Sequence, residues 1–128
     1  MLRRRARPRP EPEYTGPDLD TQLRVQARFG GRCARCGRDG VYIHHRRARG
    51  MGGTKRPEIN LPSNLLFLCG TGTTFCHGWI EHNRAEARVN GWLLRSGDDP
   101  CKVAVLLWDG RRVLLDDDGG WVCVRDAS

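Results

Sequence analysis

The apolar residues of this chain fall in short runs whose period changes abruptly, and those changes mark the elements. Residues 1–17 have no apolar periodicity and are rich in Arg, Pro and Glu, so a disordered basic arm is expected there. Leu19, Leu23 and Ala27 then repeat at helical spacing. They predict a helix capped by Asp18 or Asp20 and ended near Phe29 by Gly30-Gly31. Val41-Tyr42-Ile43-His44 and Leu65-Leu66-Phe67-Leu68 are short and β-favouring, and read as two antiparallel strands. Between them, Arg46 to Ser63 holds Gly50, Gly52, Gly53, Pro57 and Pro62, a long loop of the kind that carries function in small domains. After Cys69 a Gly/Thr run turns the chain into a helix expected from about Phe75 to Asn90, with Thr74 as N-cap and Gly91 beyond its end. Trp79, Ile80 and Ala87 would face the core of that helix, with His77, Glu81, Arg84 and Arg88 on the opposite face. Trp92-Leu93-Leu94, Val103 to Trp108, Val113-Leu114-Leu115 and Trp121-Val122-Cys123-Val124 then alternate with Asp109-Gly110 and Gly119-Gly120 turns, the pattern of a small antiparallel meander.

These elements give an α+β fold in one domain. The expected division is an arm over 1–17, a central domain over 18–96, and a meander over 97–128 packed on that same domain. The hydrophobic fraction of 38% lies below the roughly 45% usual for globular chains, so a small core with a staple is expected. Charge sharpens the picture. The formal net charge is +7, and from Arg24 to Arg56 ten Lys or Arg face a single acid, Asp39. Such a surface meets phosphate, although a solvated face with no partner is the bland alternative. From Gly97 onward seven acids outnumber four bases, which argues against that piece lying along nucleic acid. The arm's arginines either add nonspecific DNA affinity or serve as a solubilising leader. No apolar segment follows the basic start Met1-Leu2-Arg3-Arg4-Arg5, so no export signal is read, and the longest apolar run, Val103 to Trp108, is far short of the roughly 20 residues of a membrane span. A reducing cytoplasm, with no membrane partner, is the expected setting.

In that setting paired cysteines more often bind metal than each other. Cys33 and Cys36 form a CxxC knuckle with Gly37 behind it, and Cys69 and Cys76 straddle the Gly/Thr turn. Four thiolates satisfy tetrahedral zinc and leave no open position, so this metal would be structural. The alternative for Cys69 and Cys76 is a role as small buried hydrophobes. Cys101 and Cys123 have no such partner and read as ordinary core or edge thiols. All four histidines, His44, His45, His77 and His82, lie in the same stretch, and a strand–loop–strand–helix unit would bring His44, His45, Asn64 and His77 together.

This constellation resembles the HNH endonucleases of the ββα-metal (His-Me finger) superfamily. The likeness covers roughly Gly31 to Asn90. It is carried by Ile43-His44-His45-Arg46-Arg47, Gly50-Met51-Gly52-Gly53, Asn60-Leu61-Pro62-Ser63-Asn64-Leu65-Leu66-Phe67-Leu68-Cys69 and Cys76-His77-Gly78-Trp79-Ile80-Glu81. Small size, the Arg-rich start and the GMGG loop are similar to bacteriophage-encoded members. The resemblance implies a ββα-metal core and cleavage or nicking of DNA to leave 5′-phosphate and 3′-hydroxyl ends. It also implies a host-cell cytoplasmic setting and, by family analogy, phage packaging partners such as terminase. Within it, His44 and His77 would hold one divalent ion, Mg²⁺ or Mn²⁺ with Ni²⁺ or Zn²⁺ as further candidates. His45 would be the general base, a fitting role for a neutral imidazole, and Asn64 would fix its loop. One turn after the helical ligand this chain has Glu81, which is either a third, carboxylate ligand or a surface acid paired with Arg84 or Arg88; His82 is expected to face solvent. Arg46, Arg47, Arg49, Arg84 and Arg88 would hold the phosphate backbone, which positions a duplex without reading its sequence. A zinc-ribbon module that binds nucleic acid without catalysis is the rival reading; it leaves the adjacent histidines unexplained.

Overall fold

The computed structural model describes residues 15–48 and 57–124. The arm up to residue 14, Arg49 and the Gly50–Gly53 loop lie outside the described residues. What is described is a mixed α+β fold with two small antiparallel sheets: helix α1 (Leu19–Arg28), strands β1 (Tyr42–His45) and β2 (Leu65–Leu68), helices α2 (Phe75–His82) and α3 (Arg84–Val89), and strands β3 (Val105–Leu106), β4 (Arg112–Leu115) and β5 (Trp121–Cys123).

Asp18 caps α1, its Oδ1 accepting from Thr21 N at 2.8 Å. The face expected to be buried is not: Leu19 and Leu23 are 68% and 54% exposed, while Val25, Arg28 and Phe29 pack inward. The seam is therefore turned toward β2, whose four residues are all buried in the shared core. β1 pairs with β2 in the register Tyr42↔Leu68, Ile43↔Phe67, His44↔Leu66, His45↔Leu65. Two 3-10 turns, Pro57–Asn60 and Pro62–Asn64, lead into β2.

The single helix expected over 75–90 is two. Asn83, at φ −133° and ψ 52°, breaks it, and its Nδ2 donates to Trp79 O at 2.8 Å, so a side chain satisfies a carbonyl that a continuous helix would have bonded through its backbone. Thr74 precedes α2 but gives no side-chain cap; its hydroxyl accepts from Thr71 N at 2.9 Å instead. The meander forms as β3-β4-β5. Val105, Leu107, Val113 and Leu115 join Leu65, Leu68, Ile80 and Ala87 in one core cluster, so the acidic tail is part of the core rather than a cover over it. Trp92–Leu94 is buried without joining that sheet; Leu94 instead bridges Arg47 in parallel.

Arg46 corrects the sequence reading most sharply. Expected to hold phosphate, it is fully buried, its guanidinium donating to Gly91 O, Ser63 O, Pro100 O and Val103 O at 2.7–2.9 Å. The residue after His45 thus ties the helical half of the fold to the tail. Arg28 does a similar job, donating to Pro62 O at 2.8 Å and Leu65 O at 2.6 Å. Burial lowers both guanidinium pKa values to about 10, which leaves both side chains charged at neutral pH. Of the basic excess, then, Arg28 and Arg46 are internal and Arg35 is stacked on Trp79, its Cζ 3.9 Å from the ring centroid; Arg24, Arg32 and Arg38 remain exposed.

Candidate functional site

Two clusters of potential metal ligands sit about α2. The first is sulfur. Cys33, Cys36, Cys69 and Cys76 bring their Sγ atoms within 4.8 Å of one another, with Cys36 and Cys69 at 3.6 Å. A tetrahedron of sulfurs about 2.3 Å from zinc has edges of roughly 3.8 Å, so this spacing suits such an ion and is far too long for a disulfide. Gly37 at φ 77° and Gly70 at φ 88° let the two knuckles turn this tightly. Burial pushes the Cys33 and Cys76 thiols up, and the neighbouring thiols add to it. Only a cation would stabilise all four sulfurs as thiolates. Arg35 Nη1 donates to Cys76 Sγ at 3.3 Å and adds positive charge beside them.

The second cluster is mixed. Donor atoms of His44, His77 and Glu81 also lie within 4.8 Å of one another. β1 supplies His44 and α2 supplies the other two, one helical turn apart. His44 is buried, and its Nε2 donates to Trp92 O at 2.9 Å, which leaves the ring's lone pair on Nδ1. Burial pushes its pKa down to about 3, and that of His77 also falls through burial, with Glu81 acting in the other direction. Neutral imidazoles are the form that coordinates. His77 Nδ1 is itself buried with no hydrogen-bond partner among the described residues. Glu81 does both things the sequence left open: it belongs to this donor set and accepts from Arg84 Nη1 at 3.1 Å.

His45 opens beside this cluster on the same cleft of about 840 Å³, which Tyr42, Arg84, Gly16 and Pro17 also line. Its Nε2 lies 2.8 Å from Asn60 Oδ1, and Asn60 Nδ2 donates to Thr15 O at 2.7 Å. Asn64 is fully buried and works on the main chain: Oδ1 accepts from Arg47 N at 2.8 Å, and Nδ2 donates to Ile59 O at 2.8 Å and to Arg47 O at 3.4 Å. It therefore pins the segment that leaves His45 to the segment that enters Asn60.

The fold thus brings His44, His77 and Glu81 together and sets His45 on the same cleft, with Asn64 buried behind it on the main chain of Arg47 and Ile59, and leaves His82 exposed. Arg46 does not belong to the site; Arg47 is half-buried, Arg84 lines the cleft and Arg88 is exposed. Asn60 and the Trp92 carbonyl had not been singled out. A backbone oxygen leaves no trace in sequence, and Asn60 stands in a stretch that carries the resemblance without a role of its own there. Comparison with protein-family models, with characterised proteins and with solved structures finds no match for this chain.

Proposed function

We propose that this chain is a metal-dependent DNA endonuclease of the HNH type, with its strand–loop–strand–helix unit serving as a ββα-metal core and its four cysteines holding a structural zinc. One observation carries the reading: His44, His77 and Glu81 converge within 4.8 Å on a cleft that His45 shares. Two imidazoles and a carboxylate form a donor set that suits a divalent cation such as Mn²⁺ or Mg²⁺, and the unpartnered Nδ1 of His77 supports a ligand role there. A divalent ion at this site would neutralise charge growing on the scissile phosphate and on the leaving 3′ oxygen. His45 takes the proton of the attacking water, Asn64 keeps the main chain on either side in register, and Arg84 supplies a cation at the cleft wall for the phosphate backbone.

The test is nicking of a supercoiled plasmid with Mg²⁺ or Mn²⁺. His45→Ala should slow it about 100-fold or more, and EDTA should stop it. A wild type as inert as His45→Ala across Mg²⁺, Mn²⁺, Ni²⁺ and Zn²⁺, yet binding DNA with steep salt dependence, would remove the catalytic reading and leave a nucleic-acid-binding module.

A further inference from the structure

We propose that Tyr42 is a stacking platform for an unpaired nucleobase, so that the substrate this cleft takes is single-stranded DNA or a locally melted duplex. The inference rests on the nuclease reading for its ligand being DNA, and it narrows that reading to a substrate class.

A phosphate site asks for cations and hydrogen-bond donors, and has no use for an exposed aromatic ring. Tyr42 nevertheless opens β1 on the cleft at 48% exposure, and Val41 before it lines the same cleft at 66%. The Tyr42 ring lies against His77, with centroids 5.6 Å apart and planes 35° from parallel, which stands it beside the proposed ion site. Within one nucleotide a single sugar separates base from phosphate. A base laid on Tyr42 would therefore bring its own backbone to His77. Every base has a π-face, so stacking on an aromatic side chain holds a strand whatever its sequence. That face becomes available only when the base leaves its neighbours, because inside a duplex the steps above and below cover both sides. Gln26 lines the same cleft from α1, and its amide offers a donor and an acceptor to a Watson–Crick edge, which an unpaired base also uncovers. Basic charge draws in any nucleic acid; Tyr42 selects the state of the strand.

The test is fluorescence anisotropy with the full-length, zinc-loaded protein at physiological salt and no added divalent ion. The probes, all of one length, are an oligothymidylate, the same backbone made wholly of abasic sites, and a matched duplex. Wild type should bind the oligothymidylate about 10-fold tighter than the abasic strand, which carries the same charge and no base. Tyr42→Ala should bind those two alike while its duplex affinity stays that of wild type, and Tyr42→Phe, which keeps the ring, should keep the preference. A tyrosine that merely covered His77 would instead change all the affinities by one factor. With Mg²⁺ or Mn²⁺ added, wild type should cut a single strand about 10-fold faster than the matched duplex, and the gap should close in Tyr42→Ala. A wild type that binds the abasic strand as tightly as the oligothymidylate, or a Tyr42→Ala protein that keeps the discrimination, would overturn the proposal. Because binding is read without turnover, a wild type that cuts none of the probes would end the nuclease reading and leave the binding ratios to decide for or against Tyr42.

Discussion

Replacing Arg46 by Ala separates two accounts of a basic residue that follows His45 in the chain. If its guanidinium touched DNA, the loss would appear in binding; as it stands, the loss should appear in folding. The side chain donates to four main-chain carbonyls, at 2.8 Å to Gly91, 2.9 Å to Ser63, 2.8 Å to Pro100 and 2.7 Å to Val103. At the low end of about 1.5 kcal/mol for each hydrogen bond from a charged donor, these contribute roughly 6 kcal/mol. Against that stands the cost of burying a cation that forms no ion pair among the described residues, about 2–3 kcal/mol after relaxation. The difference, about 3 kcal/mol, is a large part of the 5–15 kcal/mol typical of a whole domain.

Urea unfolding at fixed metal concentration should therefore show Arg46→Ala less stable by about 3 kcal/mol, with Tm lower by about 10 °C. Arg46→Lys should fall between, since an ammonium has three donors and lacks the planar fork that reaches carbonyls on several segments. At temperatures where the variant is folded, the salt dependence of its DNA binding should match wild type. An unfolding free energy within about 1 kcal/mol of wild type, together with a salt slope reduced by about one unit, would refute the clamp and return Arg46 to the phosphate backbone.

Metal release after thiol blocking should yield one zinc per chain from the sulfur cluster, and Cys36→Ser should yield none and leave the chain largely unfolded, because structural zinc contributes about 10 kcal/mol or more; a folded, zinc-free Cys36→Ser protein would count against the staple. With zinc at the sulfurs and no other divalent ion present, stability should be full above pH 6.5, the ordinary value for a histidine, and decline as pH falls toward about 3, the value of buried His44. The sign follows from the unfolded chain binding a proton that the folded chain refuses, at up to about 1.4 kcal/mol per pH unit, and His44→Gln should flatten that part of the urea-derived stability profile. Gly78→Ala should speed zinc loss to a chromogenic chelator and cost about 1–3 kcal/mol, because a Cβ there would collide with the Thr73 main chain in the turn between Cys69 and Cys76; unchanged metal retention would show that the turn yields freely.

Periodicity and turn chemistry carried the α+β class, the β1–β2 pair, the Asp18 cap and the meander, because each depends on residues close in sequence. The donor residues were legible too, since Cys and His at close spacing have few other uses. What stayed hidden depended on contacts between distant segments. Leu19 and Leu23 carry the helical period, but α1 is turned so that Val25 and Phe29 meet β2, a choice made by the partner surface rather than by the helix. The break at Asn83 comes from a side chain bonding Trp79 O, which competes with the helix at a position where composition alone favours continuing. Arg46 and Arg28 look like surface cations in sequence; only the convergence of carbonyls from Gly91, Pro100 and Val103 shows the pocket that swallows one of them.

Trp92 joins the tail to the cleft through two bonds, its carbonyl accepting from His44 Nε2 and its indole Nε1 donating to Leu106 O, both at 2.9 Å. A fragment ending at residue 96 would keep every side chain that resembles chemistry and lose the strand that holds Trp92, on whose carbonyl one of them depends. Truncation or domain-grafting schemes for this chain should therefore place their boundary beyond Cys123, and sequence drift within the last strands should be felt at an imidazole that they never touch.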